Sequence, residues 1–460
     1  MLLNEVFDRF AQDSPLSVMA QGVMENALSP SVVDKLFEDV AERQYTRKLL
    51  FSSVVDLMGL VVCRVQPAVH AAYQAHASTI EASLRAVYSK LDHTEPVLSA
   101  ALVHMTASRL EPVIDAMDGG ARTPLLPGYR VRILDGNHLA GTEHRIKELR
   151  TIRAGALPGQ ALVVLDPRLM LVTDVVLCED GHSQERLLLG QVLDLVRAKD
   201  LWIADRNFCT TNFLFGIAAR KAFFVVRQHA STLHWEFAGK RQACGRIDTG
   251  KVFQQTIRAT NDAGEILILR RITVVLDKAT RDGETEIHLL TNVPAKDARA
   301  RVIAELYRQR WTIETAFQEL EATLDGEINT LGYPKAALFA FCVALVAYNV
   351  LSTLKAALRS VHGEKVVAEE VSGYYVADEI KMTRRGMMIA IPEDEWVVFH
   401  DATPPELAKV LVRLAAAVRL PKYRKHPRGP KKPKPAKQSG AKIKHVATAK
   451  LLSARQMCTR

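Results

Sequence analysis

Between Tyr129 and Val226 short extended apolar runs alternate with helical ones, and that alternation admits few architectures. Tyr129 to Leu134 reads as a strand ending in Asp135-Gly136-Asn137-His138. Ala161 to Leu165 and Leu169 to Leu177 read as a hairpin about Asp166-Pro167, and Ser183 to Arg197 as a helix. Leu201 to Ala204 is a second buried strand, ending in Asp205-Arg206-Asn207-Phe208. A helix from Thr210 to Ala219 and a strand from Ala222 to Val226 follow. The order predicts an α/β core with two aspartates where strands end. An aspartate at a strand end is commonly just a turn or cap residue. Carboxyl ends of neighbouring strands, however, face one rim, where side chains converge.

Arg301 to Asp325 bears on that rim. It lacks Gly and Pro, and Leu306, Ile313, Phe317, Leu320 and Leu324 recur at helical spacing, which predicts one amphipathic helix. Tyr307, Arg310 and Glu314 fall within about 60° of arc beside the apolar stripe, away from Glu305, Arg308, Thr312 and Glu319. Taken alone, Arg310 and Glu314 make an ordinary i,i+4 salt bridge. Packed over a rim that already carries Asp135 and Asp205, Glu314 becomes a third converging anion. Divalent ions with hard oxygen preferences relieve such repulsion, and a pair about 3.5–4 Å apart stabilises the entering and departing oxygens of a phosphoryl displacement.

Residues 1 to about 117 read as a helical domain. Ser29-Pro30 opens a helix with Val33, Leu36, Phe37 and Val40 on one face; Thr46 to Val62 is mostly apolar; Ile80 to Leu91 turns Leu84, Val87 and Leu91 inward. Arg85 and Lys90, with Arg47 and Lys48, suit either DNA phosphates or a solvated face. Asp118 to Gly128 is a linker. Gln228 to Val293 reads as a β-rich insertion, with strands at Val252–Ala259, Glu265–Leu276 and Glu284–Thr291. Pro334 to Leu358 is an apolar helix. Its longest apolar run, Ala336 to Leu351, falls short of about 18 residues and holds Tyr348 and Asn349, so a buried helix is expected and no membrane partner. Gly363 to Gly386 is amphipathic, Gly386 to Trp396 irregular or extended, and Pro405 to Val418 helical. Expected units are therefore 1–117, 129–227, 228–293, 294–361, 362–420 and 421–460.

The net charge is +10, yet from Arg419 onward there are fourteen Lys and Arg and no acid, so the rest of the chain carries −4. The basicity belongs to the tail. Its Pro/Lys run, including Lys431 and Lys432, has too few apolar groups to fold alone and suits phosphate backbones. Six scattered cysteines without a C-x-x-C pair, and an amino terminus without signal-peptide shape, lead us to expect reduced thiols in a cytoplasm.

Tyr307-x2-Arg310-x3-Glu314, after D-G-N-H-L at Asp135 and A-D-R-N-F at Asp205, resembles the DDE transposases of bacterial insertion sequences, most closely the insertion-sequence-four family with its Y-x2-R-x3-E-x6-K signature. The position of the signature lysine holds Glu321. The resemblance implies an RNase H-like core in which Asp135, Asp205 and Glu314 hold two magnesium ions, with manganese as the alternative. Tyr307 and Arg310 would hold the DNA backbone, with Arg206, His138, Lys431 and Lys432 as further contacts. It implies strand cleavage and joining at terminal inverted repeats by a homodimer acting on element ends and target DNA, in a bacterial cytoplasm at the nucleoid. His144 and Arg145 near Asp135, and Trp235 in the insertion as a stacking platform for an extruded base, compete with plain structural roles. Two other readings stay open: a DNA-binding relic silenced by Glu321, and a metal-dependent nuclease that does not join strands.

Overall fold

The computed structural model describes residues 5–42, 48–139, 155–280, 283–426, 445–450 and 452–453. Seven helices come first: α1 (Glu5–Asp13), α2 (Pro15–Ala27), α3 (Pro30–Val40), α4 (Phe51–Val62), α5 (Val69–Ala75), α6 (Leu84–His93) and α7 (Pro96–Asp115). Proline opens α2, α3 and α7, where a missing N–H costs nothing. Phe37, Phe51 and Leu91 are buried as the periodicity requires. Lys90 lies over the Phe37 ring, 4.1 Å from its centroid, so its stem covers the core instead of standing free for DNA. Arg47 lies outside the described residues.

The sheet begins with β1 (Arg130–Leu139), β3 (Gly159–Asp166) and β4 (Leu171–Cys178), a short β2 (Gly155–Leu157) lying apart. Then come α8 (Leu189–Leu195), β5 (Asp200–Ala204), α9 (Thr211–Ala219) and β6 (Phe223–Arg227). β7 (His234–Phe237), β8 (Gln242–Ile247), β9 (Gly250–Thr260), β10 (Ile266–Leu276) and β11 (Glu286–Thr291) complete it. One ten-stranded mixed sheet runs in the order β4-β3-β1-β5-β6-β11-β10-β9-β7, with β8 on β9. β1, β5 and β6 are parallel to one another. The strands of the 228–293 insertion belong to this sheet. β11 pairs antiparallel with β6, and the insertion prolongs the same sheet. An unpaired β6 edge would leave a row of backbone donors and acceptors open, which explains the join.

Two helical expectations change. Arg301–Asp325 is two helices, α10 (Ala300–Arg308) and α11 (Trp311–Thr323), broken at Gln309-Arg310 without Gly or Pro. Of the expected stripe, Leu306, Ile313, Leu320 and Leu324 are buried and Phe317 is partly buried. After α12 (Pro334–His362), α13 (Glu364–Glu370) and α14 (Gly373–Ala390), the stretch expected to be irregular is helical to Ala390 and again in a 3-10 segment, Glu393–Phe399. There Trp396 and Phe399 are buried and Trp396 meets Phe7 at 4.7 Å between centroids, so aromatic burial against α1 orders it. α15 (Pro404–Ala417) starts with a capping box between Thr403 and Glu406.

α12 is long and apolar enough to cross a membrane by composition, but 94% of its most apolar window is buried inside the fold. Its Asn349 explains the polar interruption. The side-chain amide both donates to the Val172 carbonyl and accepts from the Val172 N–H, each at 2.8 Å, next to the irregular β3–β4 register. The core is continuous from Phe7 through Ile133 and Phe339 to Tyr423, so α1–α6 share it with α12 rather than enclosing one of their own. The tail departs from expectation at both ends. Leu420–Tyr423 forms a 3-10 turn, and β12 (His445–Ala447) pairs parallel with β2. Ala447 and Thr448 are buried there, which supplies the apolar anchorage the Pro/Lys run lacks. Lys431 and Lys432 lie outside the described residues.

Candidate active site

The parallel β1–β5 ladder ends with Leu134 opposite Ala204, so the next residues, Asp135 and Asp205, leave adjacent strands side by side. Asp135 does not end its strand. β1 continues to Leu139 by pairing with β3, because the polar G-N-H segment still satisfies an antiparallel ladder. Gly136 leaves room there for Glu185, whose carboxylate would have to shift if a Cβ were added. Asp205 caps the 3-10 turn Arg206–Phe208, accepting the Arg206 N–H at 2.6 Å.

The break between α10 and α11 lays Arg310 across these strand ends. Its Nη1 donates to Asp135 Oδ2 at 3.1 Å and its Nη2 to Glu314 Oε1 at 2.5 Å. Tyr307 donates its hydroxyl to Asp205 Oδ1 at 3.4 Å. One guanidinium and one phenol thereby link three acids separated by 69 and 108 intervening residues in the sequence. Burial pushes the Asp135 carboxyl up to about 6; Arg310 and the Gly136 N–H oppose this, and the charges of Glu314 and Asp205 add to it. Burial, and then the Asp205 charge, push the Tyr307 phenol upward, so it stays protonated and able to donate. Arg310 is itself buried, and its Nε–H has no hydrogen-bond partner. Among the described residues no three His, Cys, Asp or Glu side chains form a group that would hold a metal ion as they stand. Arg310 fills the space between two of the acids.

His138 stands at the rim, its Nδ1 4.0 Å from Glu185 Oε1. Arg206 reaches outward to Glu284, Nη1 to Oε1 at 3.4 Å, and Glu284 also pairs with Arg227. His144 and Arg145 lie outside the described residues. Trp235 sits edge-to-face with Phe237 at 4.9 Å and has the Arg271 guanidinium over its ring at 5.4 Å, on the far part of the sheet. Sequence reasoning missed Glu185, a fourth carboxylate at the site, which accepts from Asn207 Nδ2 and leans on Gly136. Nothing in S-Q-E-R-L marks it. The only usable signal was the glycine after Asp135, whose missing side chain leaves its space.

Residues 126–350 match the Transposase DDE domain family, and these bounds contain all three acids, Tyr307 and Arg310. This chain carries a DDE transposase domain. Relatives agree. A putative transposase, InsL, of insertion sequence element IS186A from Escherichia coli strain K12 is 25% identical over 236 residues, covering 44% of this chain and 60% of the relative. The transposase of insertion sequence element IS421 from Escherichia coli is likewise 25% identical over 236 residues, with the same coverage. The chain thus spans about 60% of the length of the curated relatives it matches. The transposase domain takes in β1 to β11 and α8 to α11 and ends inside α12, leaving the amino-terminal helices and the tail outside the match.

Proposed function

We propose that this protein cuts and rejoins DNA at the ends of a bacterial insertion sequence, with Asp135, Asp205 and Glu314 as the carboxylates of an RNase H-like active site. The observation that carries this is the gathering of those three acids by Arg310 and Tyr307 within a transposase domain. The donor set fits divalent cations. It is all hard oxygen, the charges of Glu314 and Asp205 add to the upward push on the Asp135 carboxyl, and a guanidinium already stands where positive charge is needed. Two magnesium or manganese ions held by the trio would polarise the scissile phosphate and stabilise the entering and departing oxygens.

The chain's own residues do the rest. Arg310, with its Nε–H unanswered, can turn its fork from Asp135 and Glu314 to a backbone phosphate, which frees both carboxylates as DNA arrives. Tyr307, hydrogen-bonded to Asp205, stays neutral and can donate to a second phosphate oxygen. Glu185 fixes Asn207 and crowds Gly136, which holds the two strand ends in place. Water displaces the 3′ oxygen from phosphorus at the element's end, and the freed 3′-hydroxyl then attacks a target phosphodiester, releasing another 3′-hydroxyl. Double-stranded inverted repeats, target DNA and a second copy of the chain are the partners on this reading.

The test is end cleavage. Purified protein with a duplex carrying the flanking inverted repeat and Mg²⁺ should nick and then join. Asp135→Ala should bind that duplex and do neither, and cleavage by Asp135→Ala would reject the assignment. Nicking without joined product would favour a nuclease. No cleavage by the wild type with rescue by Glu321→Lys would favour a relic.

A further inference from the structure

A cavity of about 570 Å³ opens between α11, α12 and the start of α14. That volume is ordinary for a small-molecule or phosphate-bearing site. Its floor holds Arg359, only 4% exposed. Arg359 Nε donates to the Gly120 carbonyl at 3.0 Å, but its Nη2 has no hydrogen-bond partner. Arg122 stands beside it, and burial together with the Arg122 charge pulls Arg359 down to about 10.

Two neighbouring guanidinium groups, one of them buried, are costly unless an anion joins them. The acids present fall short. Arg122 has Glu364, Nε to Oε1 at 3.4 Å and half exposed, while Glu319 is taken by Lys355. Arg359 and Arg122 are thus left with the half-exposed Glu364 carboxylate between them. The cavity wall also includes Ser372 and Gly373, where the 18-residue α14 begins with no side-chain cap, so its first N–H groups and helix dipole add to the positive potential.

We propose that this cavity binds a phosphate group, with Arg359 and Arg122 as its principal ligands and the start of α14 as support. The proposal stands apart from the active-site reading, since none of these residues touches Asp135, Asp205 or Glu314. The phosphate can come from a DNA backbone or be free in solution. Either way the bound group is an oxyanion that pairs the planar forks of two arginines.

Thermal unfolding of the full-length protein, titrated with inorganic phosphate at ionic strength held constant with chloride, tests it. Wild type should show a saturable rise of about 2 °C once phosphate exceeds its dissociation constant tenfold. Arg359→Gln should abolish that rise without lowering the midpoint measured in chloride alone. Equal rises in wild type and Arg359→Gln, or no saturable rise in wild type, would overturn the proposal. If Arg359→Gln does not fold, Arg122→Gln, at a partly exposed position, decides in its place: an undiminished rise refutes the site. A non-specific duplex separates the sources. A backbone phosphate in the cavity predicts that duplex removes the phosphate-dependent rise and that Arg359→Gln reduces the salt slope of duplex binding by about one. A free phosphate predicts that both stay unchanged.

Discussion

Replacing Asp135 by Asn should make the protein more stable, and increasingly so as pH rises. Asp135 has only 20% of its side chain exposed, and its carboxyl is raised from 3.8 to about 6, chiefly by burial. A gap of roughly two units corresponds to roughly 3 kcal/mol between charged and neutral forms. Because the fold favours the neutral acid, the carboxyl costs little below pH 4. The cost builds between about pH 4 and pH 6 and is complete by about pH 7. Asparagine keeps the shape and cannot ionise, and Arg310 retains Glu314 as a partner. The advantage of Asp135→Asn over wild type should therefore grow by about 1–1.5 kcal/mol between pH 5 and pH 8. Paired denaturant titrations at several pH values measure it, read by tryptophan fluorescence to which buried Trp202 on β5 contributes. Taking differences between the two proteins removes other titrating groups such as Asp56 and Asp92, which are also raised. A pH-independent difference, or an Asn variant less stable at pH 8, would show that burial does not hold this carboxyl near neutrality.

Other expectations follow from single contacts. Glu314→Gln and Asp205→Asn should each abolish Mg²⁺-dependent end cleavage while duplex retention in a gel-shift assay stays within a few-fold, since only the carboxylate charge is lost. Glu321→Lys reverses an exposed charge on α11 and should steepen the salt dependence of duplex binding by about one unit, measured as log affinity against log salt. Asn349→Leu leaves both backbone groups of Val172 without partners in a dry interior and should cost about 2–5 kcal/mol, seen as a lowered unfolding midpoint. Arg132→Met strips the buried Asp166 carboxylate of its ion pair and should cost about 3–5 kcal/mol by the same measurement.

The alternation of strands and helices from β1 to β6 was legible because buried strands and amphipathic helices leave different periods in the sequence. Register was not legible. That Leu134 faces Ala204, so that Asp135 and Asp205 emerge together, depends on how two strands slide against each other, and neither strand records its partner. The continuation of β1 past Asp135 was hidden by local chemistry, since D-G-N-H reads as a turn until β3 pairs with it. The break at Gln309-Arg310 was hidden for the opposite reason. No breaker marks it, and good helix formers on either side yield to the packing of two separate stripes. Glu185 and Arg359 left no trace because each matters through a residue distant in sequence, Gly136 in one case and Arg122 in the other.

That break also bears on the one departure from the resemblance, Glu321. Ending α10 at Arg308 and restarting at Trp311 sets the direction of α11, whose carboxyl end meets the turn after α4. There Arg64, in a left-handed backbone conformation (φ 58°), donates to the carbonyls of Glu321, Ala322 and Leu324 at 3.1, 3.2 and 2.8 Å. A cation at the carboxyl end of a helix is favoured by the helix dipole, so this contact stabilises α11 where it leaves the active site. Arg64, Glu321 and Asn137, two residues after Asp135, share one cleft of about 250 Å³. The carboxylate at 321 therefore does not leave this part of the molecule purely acidic. Positive charge reaches the same cleft from the amino-terminal helices, and Glu321 is exposed enough to turn toward it or toward water.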